Sequence, residues 1–356
     1  MQQPHSQPPA SPRRRRIAMA LPLLGGVSWS GSAFANVASA PGLRGSETLR
    51  SAWALMGTRV DIVAEGPDAG LLRHAMDQAV AEMRRLEALM SRYQPRSAVS
   101  RINLAAGIVP VAVPPEVMAV LQSAQRVSAQ SHGAFDVTVG ALKSWDFRPG
   151  EGPSMPDARA IAREQRLVDA RGLVLDAQAG TAFLARQGMA LDLGGIAKLP
   201  ILQAGLRVLR SHGVENALVN GGGDVLAQGL WRGRAWRVGL RDPRAPERLL
   251  GAVSVAEAGV VASSGDYERY FFHQGQRQHH VLNPRTGRPS SGVHGVSLVA
   301  RDVDDVNGLG AALMVQGMRA GPPLAGRMPG VAVLMAGQDG SVWQSPAMVR
   351  LLEPAA

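Results

Sequence analysis

The chain has 356 residues, 46% of them apolar, which is ample for a buried core, and aromatics are scarce at 4%. Its formal charge is +10 and it has no cysteine, which excludes disulfides, thiolate metal sites, a cysteine nucleophile and a lipid-anchored cysteine. Four of the positive charges form one run, Arg13 to Arg16, and the other arginines are scattered among acids rather than gathered with aromatics. A nucleic-acid surface is therefore poorly supported, whereas a mildly basic face suits a polyanionic small molecule.

Residues 1–40 read as a cleavable export signal. Arg13 to Arg16 form a basic start, Ile17 to Val27 an apolar stretch, and Ala33-Phe-Ala35 or Ala38-Ser-Ala40 a small-residue cleavage site. Pro22, Gly25 and Gly26 leave the apolar run too short and broken to span a bilayer, so no stable membrane insertion is expected once it is removed. Paired arginines before a weakly apolar stretch resemble a twin-arginine signal, which points to the periplasm. Residues 41–52 are expected to be a linker, and 53–350 a single domain.

Trp53 to Val63 alternates loosely and reads as one strand interrupted at Met56-Gly-Thr58. Asp68 to Arg92 is the clearest helix, with Leu72, Met76, Ala79, Met83, Leu86 and Met90 on one face. Ser91-Arg-Tyr93 and Ser97 to Asn103 follow as a polar loop, and Pro115 to Gln130 is a second helix with proline in its first turn. Gly133 to Gly140 reads as a short strand or turn, Pro149 to Asp157 as a loop, and Asp157 to Gln165 as a short helix. Thr181 to Leu193 is expected to be a hairpin turning at Gln187-Gly188, its second strand delivering Asp192. Strand patterns then dominate, at Ala217 to Val219, Trp236 to Leu240, Gly259 to Ala262, Tyr267 to His273, Val296 to Ala300 and Val331 to Ala336, with one helix at Val306 to Gln316. There is no regular alternation of strand and helix, so the class is α+β.

Two glycine turns carry the chemistry. Asp192-Leu-Gly-Gly-Ile-Ala-Lys198 runs into a helical pattern, Leu199, Leu202, Leu206 and Leu209, so backbone N–H groups at a helix start and Lys198 could face one phosphate. Asn220-Gly-Gly-Gly-Asp224 is a second such turn beside a carboxylate. Further on, Ser263 to Arg269, His279-His280 and Asn283-Pro-Arg-Thr-Gly287 offer a serine, two histidines and an acid. No Gly-x-Ser-x-Gly elbow exists, so a hydrolase triad is weakly supported; a histidine ahead of a proline turn better suits a general base beside a phosphate loop.

Met56-Gly-Thr58, Ser97 to Asn103, Gly133-Ala-Phe-Asp-Val-Thr-Val139, Asp192 to Lys198, Gly221-Gly-Gly-Asp224, Ser264 to Tyr270 and His280 to Gly287 together resemble the ApbE-type FAD:protein FMN transferases, in that family's order. The resemblance implies an α+β domain with a T-fold-like arrangement, mixed or antiparallel sheets and flanking helices. It implies a magnesium-dependent periplasmic enzyme that transfers FMN from FAD to a threonine or serine of an acceptor flavoprotein and releases AMP. Carried onto this chain, it makes His280 the catalytic base. It places FAD against Met56, Tyr93, Asp192, Gly194, Gly195, Ala197 and Lys198, and also against Gly222, Asp224, Ser264, Arg285 and Thr286.

The implied metal ligands are the carbonyl of Ala197 and side chains at Asn307 and Ala311, where the family pattern has aspartate and threonine. An amide and a methyl replace two hard oxygen ligands, which weakens the expected Mg2+ site unless Asp302, Asp304 or Asp305 substitutes. Leu199 and Pro200 replace the usual glycine and aromatic after the lysine, and Asn283 replaces an acid. Two alternatives follow: a periplasmic FAD-binding protein without transfer activity, or a diphosphatase that splits FAD into FMN and AMP.

Overall fold

A computed structural model describes residues 46–147 and 154–355. The export signal at 1–40, the first part of the expected linker and much of the expected loop at Pro149 to Asp157 lie outside the described residues. Among the described residues, no helix is long and apolar enough to cross a membrane.

The chain opens with strands β1 (Glu47–Leu55) and β2 (Thr58–Gly66), then helices α1 (Ala69–Met90) and α2 (Ala98–Leu104), strand β3 (Val111–Ala112) and helix α3 (Pro115–Gln130). Helix α4 (Ala158–Gln165), strands β4 (Leu173–Asp176) and β5 (Thr181–Leu184) and helix α5 (Lys198–Ser211) follow. A strand-rich run comes next: β6 (Asn216–Gly221), β7 (Asp224–Gly229), β8 (Trp236–Asp242), β9 (Ala245–Val255), β10 (Glu257–Gly265), β11 (Tyr270–His273) and β12 (Gln276–His279). The chain closes with β13 (Leu282–Asn283), β14 (Arg288–Pro289), β15 (Val293–Ala300), α6 (Val303–Val306), α7 (Leu309–Ala325), β16 (Ala332–Gly337), β17 (Val342–Gln344) and α8 (Pro346–Leu351).

An eight-stranded sheet in the order β1-β2-β6-β7-β10-β15-β16-β17 organises the molecule, and every neighbouring pair in it is antiparallel. Its side chains alternate between two cores, as the period of a strand requires. Val60, Ile62, Val219, Leu226, Val260, Leu298 and Val333 face the larger core, which α1, α3, α5 and α7 cover. Val63, Leu218, Val225, Val261, Val299 and Leu334 face a second core closed by the β8–β9 hairpin and Met348 of α8. Burial on both faces explains why these strands read as apolar runs rather than alternating ones.

Helix α1 forms where its stripe predicts. Asp68 caps it by accepting the Leu71 N–H, and the six apolar residues of the stripe are all buried. Each such side chain contributes roughly 1.5–3 kcal/mol on burial. Helix α3 matches its expected span, and α5 buries Leu199, Leu202, Leu206 and Leu209.

Several expectations need correction, the first being the polar loop at Ser97 to Asn103, which is helix α2, capped by Ser97 and burying Val99 and Ile102. The interrupted strand at Trp53 to Val63 is a hairpin, β1 with β2, whose turn residues Met56 and Gly57 have φ of +54° and +66°. Strand β1 starts at Glu47, so most of the expected linker 41–52 that lies within the described residues belongs to the sheet, and Glu353 pairs with Ala252 beyond the expected end at 350. The Thr181 to Leu193 hairpin does not form: β5 pairs with β3 and β4, and the chain then turns away. Strand β11 covers only the last part of Tyr267 to His273. The late helix is split, because Gly308 has φ of +78° between α6 and α7, and Gly317, just past the expected end at Gln316, breaks the helical path again.

Candidate functional site

The two glycine turns meet across an ion pair. Strands β6 and β7 are joined by Gly222 and Gly223, with φ of +64° and +98°. A residue with a Cβ would be strained there, and at Gly222 it would also lie 2.5 Å from Thr58 Oγ1. Asp224, buried at the start of β7, directs its carboxylate to the other turn: Oδ2 is 3.0 Å from Lys198 Nζ, and Oδ1 accepts the Ser263 N–H at 2.8 Å. Lys198 opens α5 immediately behind Gly194 and Gly195, and about a third of its side chain stays exposed. Asp224 therefore aims Lys198, a contact that the sequence did not reveal.

Asp192 is organised from two sides. Its Oδ1 accepts the Gly194 N–H at 2.8 Å and its Oδ2 takes Arg92 Nη1 at 2.9 Å. The Arg92 guanidinium also lies 5.3 Å from the centroid of Tyr93, whose ring is 62% exposed and offers a flat face beside the turn. The Asn103 amide clasps the preceding residue, taking the Leu191 N–H at 2.6 Å and donating to the Leu191 carbonyl at 3.1 Å. The neighbouring backbone pairs elsewhere, the Asp192 N–H donating to the Val137 carbonyl at 2.7 Å and Ala190 bridging to Val139, so this segment does not pair with β5.

The remaining predicted residues are held by contacts with other elements. The Met56 N–H donates to Glu87 Oε1 at 2.9 Å, and the position of a Cβ on Gly57 would be 3.0 Å from Arg269 Nη2. Phe135 packs on Gly195 and on Gly308, its ring atoms 3.3 Å and 3.4 Å from where a Cβ would stand on each. Ser264 lies against the first turn of α7, where only a glycine at 310 leaves room for its Oγ. In the proline loop, Asn283 Oδ1 accepts the Arg285 N–H at 2.9 Å, so the amide that replaces an acid still caps the turn. Arg285 Nη2 donates to the His132 carbonyl at 2.8 Å, and Thr286 Oγ1 accepts the Arg288 N–H at 3.3 Å. Both side chains are exposed.

His280 follows β12. The Arg269 carbonyl accepts its backbone N–H at 3.1 Å and lies 3.4 Å from Nδ1. A carbonyl can only accept, so the proton of the neutral ring belongs on Nδ1 and Nε2 keeps its lone pair. The residue is open to solvent yet crowded by protein, the combination found on the wall of a recess. Desolvation, and then the positive charge of Arg269, push its pKa well below the usual 6.5. Glu268 combines exposure and crowding in the same way. Burial raises its pKa, while the cations Lys198 and Arg241 oppose the rise. His280, Glu268, Lys198, Asp224 and Arg269 therefore share one electrostatic neighbourhood.

The three implied metal positions do not fit a hard divalent cation. Ala197 is buried, and its carbonyl accepts the Ile201 N–H at 3.2 Å. Asn307 is 2% exposed with Nδ2 lacking a partner, and Ala311 brings a methyl and no oxygen. Asp304 and Asp305 line a small cavity with Asn307 against Gln130 and Ser131, to which neither Ala197 nor Ala311 contributes. Among the described residues, no group of three or more His, Asp or Glu is placed to hold a metal.

Sequence reasoning passed over Arg92, Glu87, Phe135, Arg241, Glu268 and Arg269 as site residues. Phe135, Glu268 and Arg269 stand inside motifs already singled out, so attention to each motif's full length would have found them. Arg92 reaches Asp192 across 100 residues of chain, which no local pattern signals.

The comparisons with known proteins point to one family. The chain is 32% identical over 308 residues to the FAD:protein FMN transferase of Treponema pallidum (strain Nichols), covering 82% of this chain and 84% of that one. The fold matches the ApbE protein of Thermotoga maritima with a TM-score of 0.80 at 29% identity, and the flavin transferase ApbE of Vibrio cholerae with 0.75 at 27%. Both matches cover 86% of this chain and 100% of the other. The model of the ApbE family matches residues 56–335, a span that starts at the Met56-Gly57 turn and takes in both glycine turns, His280 and α7. With the family model matched over that span, which is most of the chain, the chain belongs to the ApbE family.

Proposed function

We propose that this protein is a FAD:protein FMN transferase that acts in the periplasm after export by the twin-arginine route. The observation that carries the reading is the Lys198–Asp224 ion pair that joins the two glycine turns, with the exposed His280 near enough for the Lys198 charge to act on its ring. The FAD diphosphate would lie against the Gly194–Gly195 and Gly222–Gly223 turns and Lys198. Met56, Ala197, Ser264, Arg285 and Thr286 would complete the cofactor wall, and Tyr93 would offer its exposed face to a flavin or adenine ring.

The reaction needs an in-line hydroxyl, a base for its proton and positive charge on the phosphates. The oxygen of an acceptor threonine or serine bonds to the FMN phosphorus while the bond from that phosphorus to the bridging oxygen breaks, and AMP departs with the bridging oxygen. His280 Nε2 takes the hydroxyl proton and later yields it to solvent. Depression of its pKa keeps the imidazole neutral at neutral pH, the form a base must have. Lys198, fixed by Asp224, and the partly exposed turns meet the charge that develops on the phosphates. No step passes through a metal, because Asn307 and Ala311 do not fit one. We therefore infer slow transfer with little dependence on Mg2+.

Incubating the purified protein with FAD and a threonine-bearing acceptor protein tests the reading. Transfer gives a flavin-fluorescent acceptor band together with AMP. AMP and FMN without that band would indicate hydrolysis, and FAD retained intact would indicate a binding protein; either outcome overturns the assignment.

A further inference from the structure

Beside the recess lies a buried ionic cluster that the proposed reaction does not use. Asp266, with no exposed surface, receives Arg277 Nη1 on Oδ1 and His294 Nδ1 on Oδ2, each at 2.6 Å. Its own N–H donates to the His294 carbonyl at 2.9 Å, so side chain and backbone both grip the start of β15. That grip falls where the β15–β16 register shifts, between Val293 and Gly295. Arg277 belongs to β12, the strand that leads directly to His280, and its guanidinium also stacks 4.6 Å from the Tyr270 ring centroid on the paired strand. Asp266 thus ties the β11–β12 hairpin to the central sheet.

That tie matters because β11 and β12 form a two-stranded sheet separate from the central one. A lone hairpin is barely stable in water, so its pose depends on what anchors it. One anchor is Phe271, which packs into a small core with Trp145 and Leu142. The other is polar: Asp266 with Arg277, reinforced by buried His279, whose Nε2 donates to the Ser290 carbonyl at 2.8 Å. A buried charge pair is a weak source of net stability but fixes one geometry strongly.

We propose that Asp266 is a positioning residue for the transfer reaction, holding Arg277 and His294 so that the hairpin presents His280 to the FAD diphosphate. This rests on the reading of His280 as the base. Glycine turns and Lys198 hold FAD from other elements, so loosening the hairpin should disturb the proton transfer far more than flavin affinity.

The test is Asp266→Asn in the full protein, with four readings: amide hydrogen exchange, the imidazole NMR signals of His280, FAD affinity and transfer rate. Expected are faster exchange in residues 270–280 with the central sheet still protected, a displaced His280 signal, and FAD affinity within about 3-fold of the natural protein. Transfer should fall about 100-fold, the scale of a 1 Å misplacement. Unchanged exchange and His280 signals would overturn the proposal, as would a loosened hairpin with undiminished transfer, or loss of protection throughout the sheet. Should Asp266→Asn not fold, Arg277→Gln removes the half-exposed partner alone and is read by the same outcomes. Failure of the base assignment is distinguished separately: His280→Ala would then keep full transfer while the exchange and NMR readings still report on Asp266. If the natural protein makes no transfer, the proposal falls with the base reading on which it rests.

Discussion

His279 and His280 are neighbours in the chain and opposites in environment, one fully buried and bonded to the Ser290 carbonyl, the other open on the recess wall. His280→Ala is expected to leave the fold and FAD affinity intact while lowering transfer by about 10²–10⁴-fold, the usual worth of a general base. His279→Ala should instead cost about 2 kcal/mol of stability through a cavity and an abandoned carbonyl. Thermal unfolding of both variants beside a transfer assay separates the roles. Both imidazoles are harder to protonate in the folded protein than at their ordinary 6.5, burial being the largest cause in each. Below that value the unfolded chain binds more protons than the native one, so acidification favours unfolding, and above it the effect vanishes. The urea midpoint should therefore fall between about pH 7 and about pH 5, and fall less in His280→Ala. The same depression keeps the base form available, so the acid limb of the transfer profile should lie below the ordinary histidine value.

Helices and sheet strands were legible wherever a periodic apolar pattern met its core: α1, α3 and α5 follow their stripes, and the central strands follow their apolar runs. Elements whose shape is set by distant side chains were not. The segment before Asp192 looks like the second strand of a hairpin, but Asn103 and the backbone of Val137 and Val139, all far away in sequence, take its hydrogen bonds instead. Met56 adopts positive φ although it is none of the usual asparagine, aspartate or glycine at that place, so with Gly57 alone as the signal β1 and β2 read as one interrupted strand. Most candidate site residues were found through motifs, while Arg92, Arg241 and Glu87 were missed because their partners lie in other elements. At this scale the Gly222–Gly223 turn is the point to test. Gly222→Ala meets both a positive φ and the Thr58 hydroxyl, and should cost roughly 1–3 kcal/mol. Adding Thr58→Ala should recover only the steric part, so the double variant remains less stable than the natural protein by chemical denaturation.

For the whole molecule, one antiparallel sheet with a core on each face implies a single cooperative unit. Calorimetry without ligand should show one transition, and two independent ones would contradict the reading of residues 53–350 as a single domain. The same sheet carries the Gly222–Gly223 turn and Ser264, while Lys198, His280 and Arg285 come from elements outside it. In the present account charge on the diphosphate is met by Lys198, the glycine turns and neighbouring arginines, with little left to a cation at Ala197, Asn307 and Ala311. Magnesium dependence of transfer tests that account most directly, measured in the natural protein and in the double variant Asn307→Asp with Ala311→Thr. Expected are slow transfer that changes less than about 3-fold with Mg2+ in the natural protein, FAD affinity likewise insensitive, and a faster, Mg2+-dependent rate only when both ligands are restored together. Brisk, Mg2+-dependent transfer by the natural sequence would contradict it.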